Sequence, residues 1–170
     1  DSIRGLAFVR SYGEPGLRVI KTSSLEVIAD ILGEYWIDAV ELNPAFGHVY
    51  ARDLKADGEN VIYVVDSKSF ELLDTIHLGR DQILETKMDV DRDRLFVHSR
   101  NEEWVHSLKI LAGPGAPVIS TDLIGSNLDI DVNRSTGNVY IAGKSYQSGQ
   151  YPGPDCLVQT VDGKTATLVD

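Results

Sequence analysis

Three acids stand between apolar neighbours at matching places in the chain: Glu41 in DAVELN, Asp89 in TKMDVD and Asp131 in LDIDVN. In an extended segment successive side chains alternate faces, so each carboxylate points away from its apolar flanks. Repeated around one axis, such carboxylates could line a channel and hold a cation. They could equally be structural acids bonded to turn amides or to a neighbouring element, because a buried charge has to be paired. Asp89, Asp91 and Asp93 also spell D-V-D-R-D, and Asp131, Asn133 and Ser135 give a paler copy. Alternating acids suit a calcium loop. No Gly or bidentate Glu follows at the spacing an EF-hand needs, and Asp and Asn make Asx turns at strand ends routinely. The turn reading is preferred. No cofactor is predicted; a calcium-like divalent cation is what these acids could hold.

The other chemistry-bearing residue types are sparse. His98 and His106 flank the SRNEEW hairpin and could meet across it, whereas His48 falls in a turn and His77 on an outer strand. No pair has metal-selecting spacing, so the four histidines read as surface or hairpin residues. Cys156 reads as an inert buried thiol, since nothing near it in sequence would lower its pKa. There is no G-x-S-x-G elbow and no phosphate-cradling glycine cluster. No catalytic residue and no metal ligand is assigned.

Composition narrows the classes. With 26 acidic and 16 basic residues the formal net charge is -10, which disfavours nucleic acid as a partner because phosphate binding needs clustered Lys and Arg. No apolar run approaches the length of a membrane span. No leader of charged then apolar residues opens the sequence, so a secretory signal is expected to be absent or already removed. The single cysteine excludes an internal disulfide framework.

The elements that must position these residues repeat. The aromatics Phe8, Tyr50, Phe96 and Tyr140 are 42, 46 and 44 residues apart, and Gly33, Gly79 and Gly125 are 46 and 46 apart. Asn43, Asp91 and Asn133 are expected to end one strand, with a turn and a Val- and Tyr-rich strand following. Four short strands fit each period, bounded by turn formers, and helical periodicity is poor throughout. Four strands per 40 to 50 residues is the pattern of propeller blades. The fold class is therefore all-β, with β-propeller blades of four antiparallel strands and about four blades at approximately 1–35, 36–81, 82–127 and 128–170. The first blade, opening with a second-position strand at Ile3 to Arg10, lacks an innermost strand.

Val40-Glu41-Leu42-Asn43-Pro44, Gly47 and Val49-Tyr50-Ala51 resemble the YVTN-type β-propeller repeat. So do Ile130-Asp131-Val132-Asn133, Gly137 and Val139-Tyr140-Ile141-Ala142, and the segment VIYVVDSKSFELLDTIHLG. NHL-like and lactonase-like propellers are related. The resemblance implies a ring of about seven blades, so residues 1–170 would be a single but partial propeller domain. The chain would be a fragment or subunit of a larger ring, one of two copies that pair, or a small ring or open arc. The resemblance also implies an exported prokaryotic protein (periplasmic, secreted or cell-surface). It carries over no catalytic residue, because the shared motif is structural.

Propellers bind through the loops of one face, and binding residues favour loops. The candidate face comprises Tyr35, Trp36, Arg80, Asp81, Gln82 and Asn127, with Tyr146 and Tyr151 of the long loop KSYQSGQYPGPD. Aromatics there could equally fill space between blades. The expected function is a non-enzymatic binding module for a protein, glycan or small ligand, with another chain completing the ring as a further partner. The alternative is an enzyme or enzyme subunit of lactonase-like or cofactor-dependent oxidoreductase type, using the channel acids Glu41, Asp89 and Asp131 with a metal.

Overall fold

Runs such as NVIYVVD, apolar at nearly every position, can be stable in water only as strands covered on both faces. In the computed structural model Asn60–Asp66 is such a strand, buried along all but its last residue. The structure describes residues 1–11, 13–54, 57–144 and 156–169, with the side chains of Leu54, Ser126, Asn127 and Cys156 outside that description. Fifteen strands and no helix occur among the described residues. They are β1 (Leu6–Arg10), β2 (Leu17–Lys21), β3 (Glu26–Ile31), β4 (Ile37–Asn43), β5 (His48–Leu54), β6 (Asn60–Asp66), β7 (Leu72–Gly79) and β8 (Gln82–Asp89). The rest are β9 (Arg94–Arg100), β10 (His106–Leu111), β11 (Ile119–Leu123), β12 (Ser126–Val132), β13 (Val139–Lys144), β14 (Cys156–Val161) and β15 (Leu168–Val169).

Each sheet is an antiparallel meander of sequential strands: β1-β2-β3, β4-β5-β6-β7, β8-β9-β10-β11 and β12-β13-β14-β15. Four antiparallel sheets of three or four strands are consistent with propeller-like blades. The chain divides into two units, Asp1–Arg80 and Asp81–Asp170. In the first, Leu17, Ile37, Val49, Ala51, Val61, Tyr63 and Val65 form a buried apolar cluster. In the second, Phe96, Leu108, Ile110, Ile130, Val139, Ile141 and Val161 do the same.

The turn between the first and second strand shows why the sequence repeats. The side-chain oxygen of an Asx residue accepts backbone N–H groups two or three residues on. Asp1 does so for Ile3 and Arg4, Asn43 for Ala45 and Phe46, Asp89 for Asp91, and Asn133 for Ser135 and Thr136. Four residues after each comes a left-handed residue, Gly5, Gly47, Asp93 or Gly137, with φ of 64, 76, 51 and 81°. This corrects two expectations. The acid of the third turn is Asp89, not Asp91, and Ile3 lies in a turn of the first sheet rather than in β1. A second repeated turn closes on Leu25, Phe70 and Ala166, whose N–H groups donate to Lys21, Asp66 and Asp162 carbonyls. Bonds from Ser69 and Lys68 hold the Asp66 carboxyl below its usual range, and bonds from Thr165 and Lys164 do the same for Asp162. On the opposite edge the left-handed residue of the first sheet is Leu32 (φ 56°), not Gly33; Gly79 and Gly125 fill that place in later sheets.

Within each unit an arginine joins the two turns. Arg4 Nη1 donates to the Pro44 carbonyl at 3.2 Å, and Arg92 donates to the Arg134 and Ser135 carbonyls at 2.7 and 3.0 Å. A Cβ on Gly137 would stand 2.9 Å from Arg92 Nε. Gly137→Ala should therefore cost about 1–2 kcal/mol in left-handed strain and, in addition, displace the clamp. Gly58, also left-handed, has no atom of the described residues within 4 Å of its Cβ position. Urea denaturation should show Gly137→Ala to be clearly more destabilising than Gly58→Ala; equal losses would mean that the arginine contact adds nothing.

Candidate functional site

In the first unit the connection from β3 to β4 carries Tyr35 and Trp36, adjacent residues with opposite fates. Tyr35 stacks on Tyr63, ring centroids 4.1 Å apart, and this pins the backbone. Tyr63 lies beneath in the core, its phenol pushed up to about 12 by burial and then by Asp53 and Tyr35. Trp36 is left 58% exposed. The Tyr35 carbonyl accepts both Gly16 N–H at 2.8 Å and Ile37 N–H at 3.2 Å. The β1–β2 loop is thereby stitched to the base of Trp36. Gly16 is required there: its φ is +86°, and a Cβ would meet the Ile31 carbonyl oxygen at 2.8 Å.

Between these walls is a cavity of about 410 Å³ lined by Arg10, Ser11, Gly13, Glu14, Trp36, Ile37 and Asp38. Its carboxylates are fixed. Asp38 accepts both Arg52 Nε and Nη2 at 2.6 Å, a bidentate pair, and Glu14 accepts Arg18 Nη2 at 2.7 Å. A neighbouring depression of about 270 Å³ shares Ser11 and Glu14 as its wall. Of the predicted face residues, Trp36 lines the cavity and Tyr35 supports it. Arg10 and Asp38 were not singled out in the sequence, because Asp38 sits in a strand register that only pairing defines.

The second unit has its own polar cluster at the β9–β10 hairpin. Asn101 Oδ1 accepts Glu103 and Val105 N–H groups, shaping the loop that presents Trp104, 69% exposed, with the Arg100 guanidinium 3.9 Å from its ring centroid. Gln82 accepts from Arg100, and Asp81 accepts Lys109 Nζ at 2.6 Å. Lys109 also donates to Ser99 Oγ at 2.8 Å, and Ser99 and Ser107 share a bond of 2.9 Å. An ammonium that donates to a serine oxygen cannot also take that serine's proton, so this chain supports the strands rather than activating a nucleophile.

His98 and His106 do meet across the hairpin, His98 Nε2 to His106 Nδ1 at 2.8 Å. They are hairpin residues but not surface ones, which corrects the surface half of the sequence reading: relative exposure is 0% and 5%. Their positions on β9 and β10 place them on the face that packs on the second unit's core. Burial, then His106 and Arg100, lower His98 to about 4, and burial followed by Arg100 lowers His106. His48 is the first residue of β5 rather than a turn residue.

The register also revises the row of acids. Glu41 pairs with Tyr50 and Asp131 with Tyr140, but the residue opposite Phe96 is Lys87. Asp89 lies two positions on, opposite Arg94, buried and holding Arg92 at 3.1 Å. The middle place in the row is therefore a cation. Glu85, by hydrogen bond and charge, raises the Lys87 ammonium above its usual value, and Asp129 and Asp131 act in the same direction. Among the described residues no three His, Cys, Asp or Glu side chains converge as a metal group. Arg80 is exposed, 3.9 Å from Asp57. The side chain of Asn127, and Tyr146 and Tyr151 altogether, lie outside the described residues.

No protein-family profile matches the sequence, and no curated protein matches it. Solved structures do. The WD40 domain of coronin from Toxoplasma gondii matches with a TM-score of 0.58 at 13% identity, over 96% of this chain and 41% of that one. Dihydro-heme d1 dehydrogenase NirN gives 0.58 at 12%, over 98% and 43%. The β-propeller domain of the Trilobed protease from Pyrococcus furiosus gives 0.53 at 12%, over 99% and 50%. The chain thus spans half or less of each of these three structures. Identities this low speak to the fold alone, and they support a general β-propeller assignment for the four sheets.

Proposed function

We propose that this chain is a non-enzymatic binding module built of YVTN-like propeller blades, engaging its ligand through the loops of one face. The observation that carries the reading is the Trp36 cavity: an exposed indole beside fixed polar groups, on a backbone locked by the Gly16–Tyr35 bond and the Tyr35–Tyr63 stack. Small-molecule sites are typically preformed hollows of roughly 300–1,000 Å³ with a few placed polar groups. The ligand needs no metal on this reading.

The competing reading is an enzyme or subunit of lactonase-like or cofactor-dependent oxidoreductase type, with a calcium-like ion at the acids. Chelation separates the two. With excess EDTA the melting temperature should stay within a degree of the untreated protein. A fall of several degrees, restored by calcium, would instead favour the metal reading. Lys87 beside Asp129 and Asp131 already supplies the counter-charge that a bound ion would give there.

We further propose that more blades, from this polypeptide or from another chain, complete a larger ring. The free face of the last sheet supports this: Tyr140 (41% exposed), Val158 (66%) and Val169 (44%) share one face by register, and such adjoining apolar surface ordinarily has a partner. The resemblance to YVTN-type repeats supports an exported prokaryotic setting. The charge of -10 argues against nucleic acid. Among the described residues no helix is long and apolar enough to cross a membrane.

A further inference from the structure

We infer that the Trp36 cavity is a subsite for an uncharged pyranose ring, so that the ligand of the binding face is a neutral glycan. This rests on the binding-module reading and narrows it to one chemical class.

The first ground is the indole. Trp36 is far more exposed than its neighbour Tyr35, and it borders the hollow rather than plugging it. An exposed indole at the edge of a hollow offers a large flat apolar surface on which a flat ligand can stack. A pyranose offers a suitable surface, because its axial C–H groups form an apolar face while its hydroxyls lie around the edge. The electron-rich indole face attracts those C–H groups.

The second ground is the polar rim. Hydroxyl groups both donate and accept, so a sugar-edge site needs acceptors and donors side by side. Glu14 and Asp38 supply acceptors, and Arg10 and Ser11 supply donors. The two carboxylates are held in advance. Both oxygens of Asp38 are aligned by Arg52 Nε and Nη2, leaving each with a further lone pair for a hydroxyl, and Arg18 holds Glu14. Fixed partners reduce the ordering cost of binding.

The third ground is charge. Each carboxylate already carries its own guanidinium, so the site has no need of a cationic ligand. Counting Arg10 and the two partner guanidiniums, the lining carries no excess negative charge, so it is the protein's overall charge of -10 that opposes an anionic ligand. A neutral polyhydroxylated ring satisfies all three conditions, and about 410 Å³ of open hollow is room for one or two such rings.

The test uses the fact that the chain has two tryptophans, Trp36 and Trp104. In a Trp104→Phe background Trp36 is the only tryptophan, and excitation at wavelengths beyond tyrosine absorption reports on it alone. Neutral oligosaccharides (cellohexaose, xylohexaose, mannohexaose and hexa-N-acetylchitohexaose) are titrated against this variant, with calorimetry in parallel. At least one should change the Trp36 emission saturably, and Trp36→Ala should weaken its calorimetric affinity by about 10-fold or more. Trp36→Phe should recover part of the loss. Since Trp36 is mostly exposed, both variants should melt with the parent, which separates lost binding from lost folding. Sugar binding that survives Trp36→Ala overturns the site. Quenching of Trp36 by heparin or by an extended peptide library, with no response to neutral sugars, overturns the sugar class and leaves the binding-face reading standing. Silence of Trp36 towards every probe overturns both.

Discussion

Acidification from pH 6.5 to pH 4 is expected to remove roughly 3 kcal/mol of stability through His98 alone. In the unfolded chain this imidazole titrates near 6.5; in the fold, burial and the neighbouring His106 and Arg100 hold it down to about 4. Across that window the unfolded state binds a proton that the folded state refuses, so stability falls as pH falls. His106, lowered by burial and Arg100, pulls in the same direction. The geometry explains why the fold resists the proton. The 2.8 Å bond joins one N–H to one lone pair, and two imidazoliums would bring two N–H groups against each other. Among the described residues His98 Nδ1 has no hydrogen-bond partner in its buried position. The charges around the pair offset this only in part: Asp129 favours the protonated form, and Glu85 stands opposite His98 on β8. Urea midpoints at intervals from pH 7 to 4.5 should decline steeply in the wild type and much less in His98→Phe/His106→Leu. A flat wild-type profile would sink the argument. The aspartates with lowered values, Asp66 and Asp162, add their own loss only as pH falls below the ordinary carboxylate value of 3.8.

Phe96→Ala should cost about 3–5 kcal/mol, the usual range for emptying a fully buried aromatic site. Phe96 is 0% exposed and stands in the second unit's core with Leu108, Ile110, Ile130 and Val161. Its ring also touches the place where a Cβ on Gly163 would sit, 3.0 Å from Cζ, so that wall leaves little slack around the ring. Tyr140→Ala, at the same place in the repeat, should cost under about 1 kcal/mol in the isolated chain, because Tyr140 is 41% exposed. Chemical denaturation of both variants checks the contrast. If Tyr140→Ala proves as costly as Phe96→Ala, the last sheet's free face must be covered in solution, and light scattering should then show more than one chain per particle.

This pair of aromatics shows where sequence reading stops. The spacing of Phe8, Tyr50, Phe96 and Tyr140 identified equivalent places, and the register agrees: Tyr50 lies opposite Glu41, Phe96 opposite Lys87 and Tyr140 opposite Asp131. Spacing is a property of the local chain, and turn chemistry fixes it. An Asx residue and a left-handed residue four positions on can be found by eye once a period is suspected. Burial is a property of what covers the sheet, and no local pattern records that. Equivalent aromatics therefore range from 0% to 41% exposure.

The same division runs through the candidate site. Alternation of apolar and polar residues, and turn formers at regular intervals, were enough to determine strands, their order and their grouping into four meanders. They marked Tyr35 and Trp36 as loop aromatics at the mouth of a blade. Tertiary structure alone decided which of the two points outward, because the Tyr35–Tyr63 stack and the Gly16–Tyr35 bond join segments distant in sequence. It also decided that the middle position in the row of acids is Lys87, since a two-residue offset in register leaves the face pattern unchanged and changes only which residue stands opposite. The histidines were legible as a pair that could meet, but their burial was not, because the sheet that covers them follows 20 and more residues later in the chain.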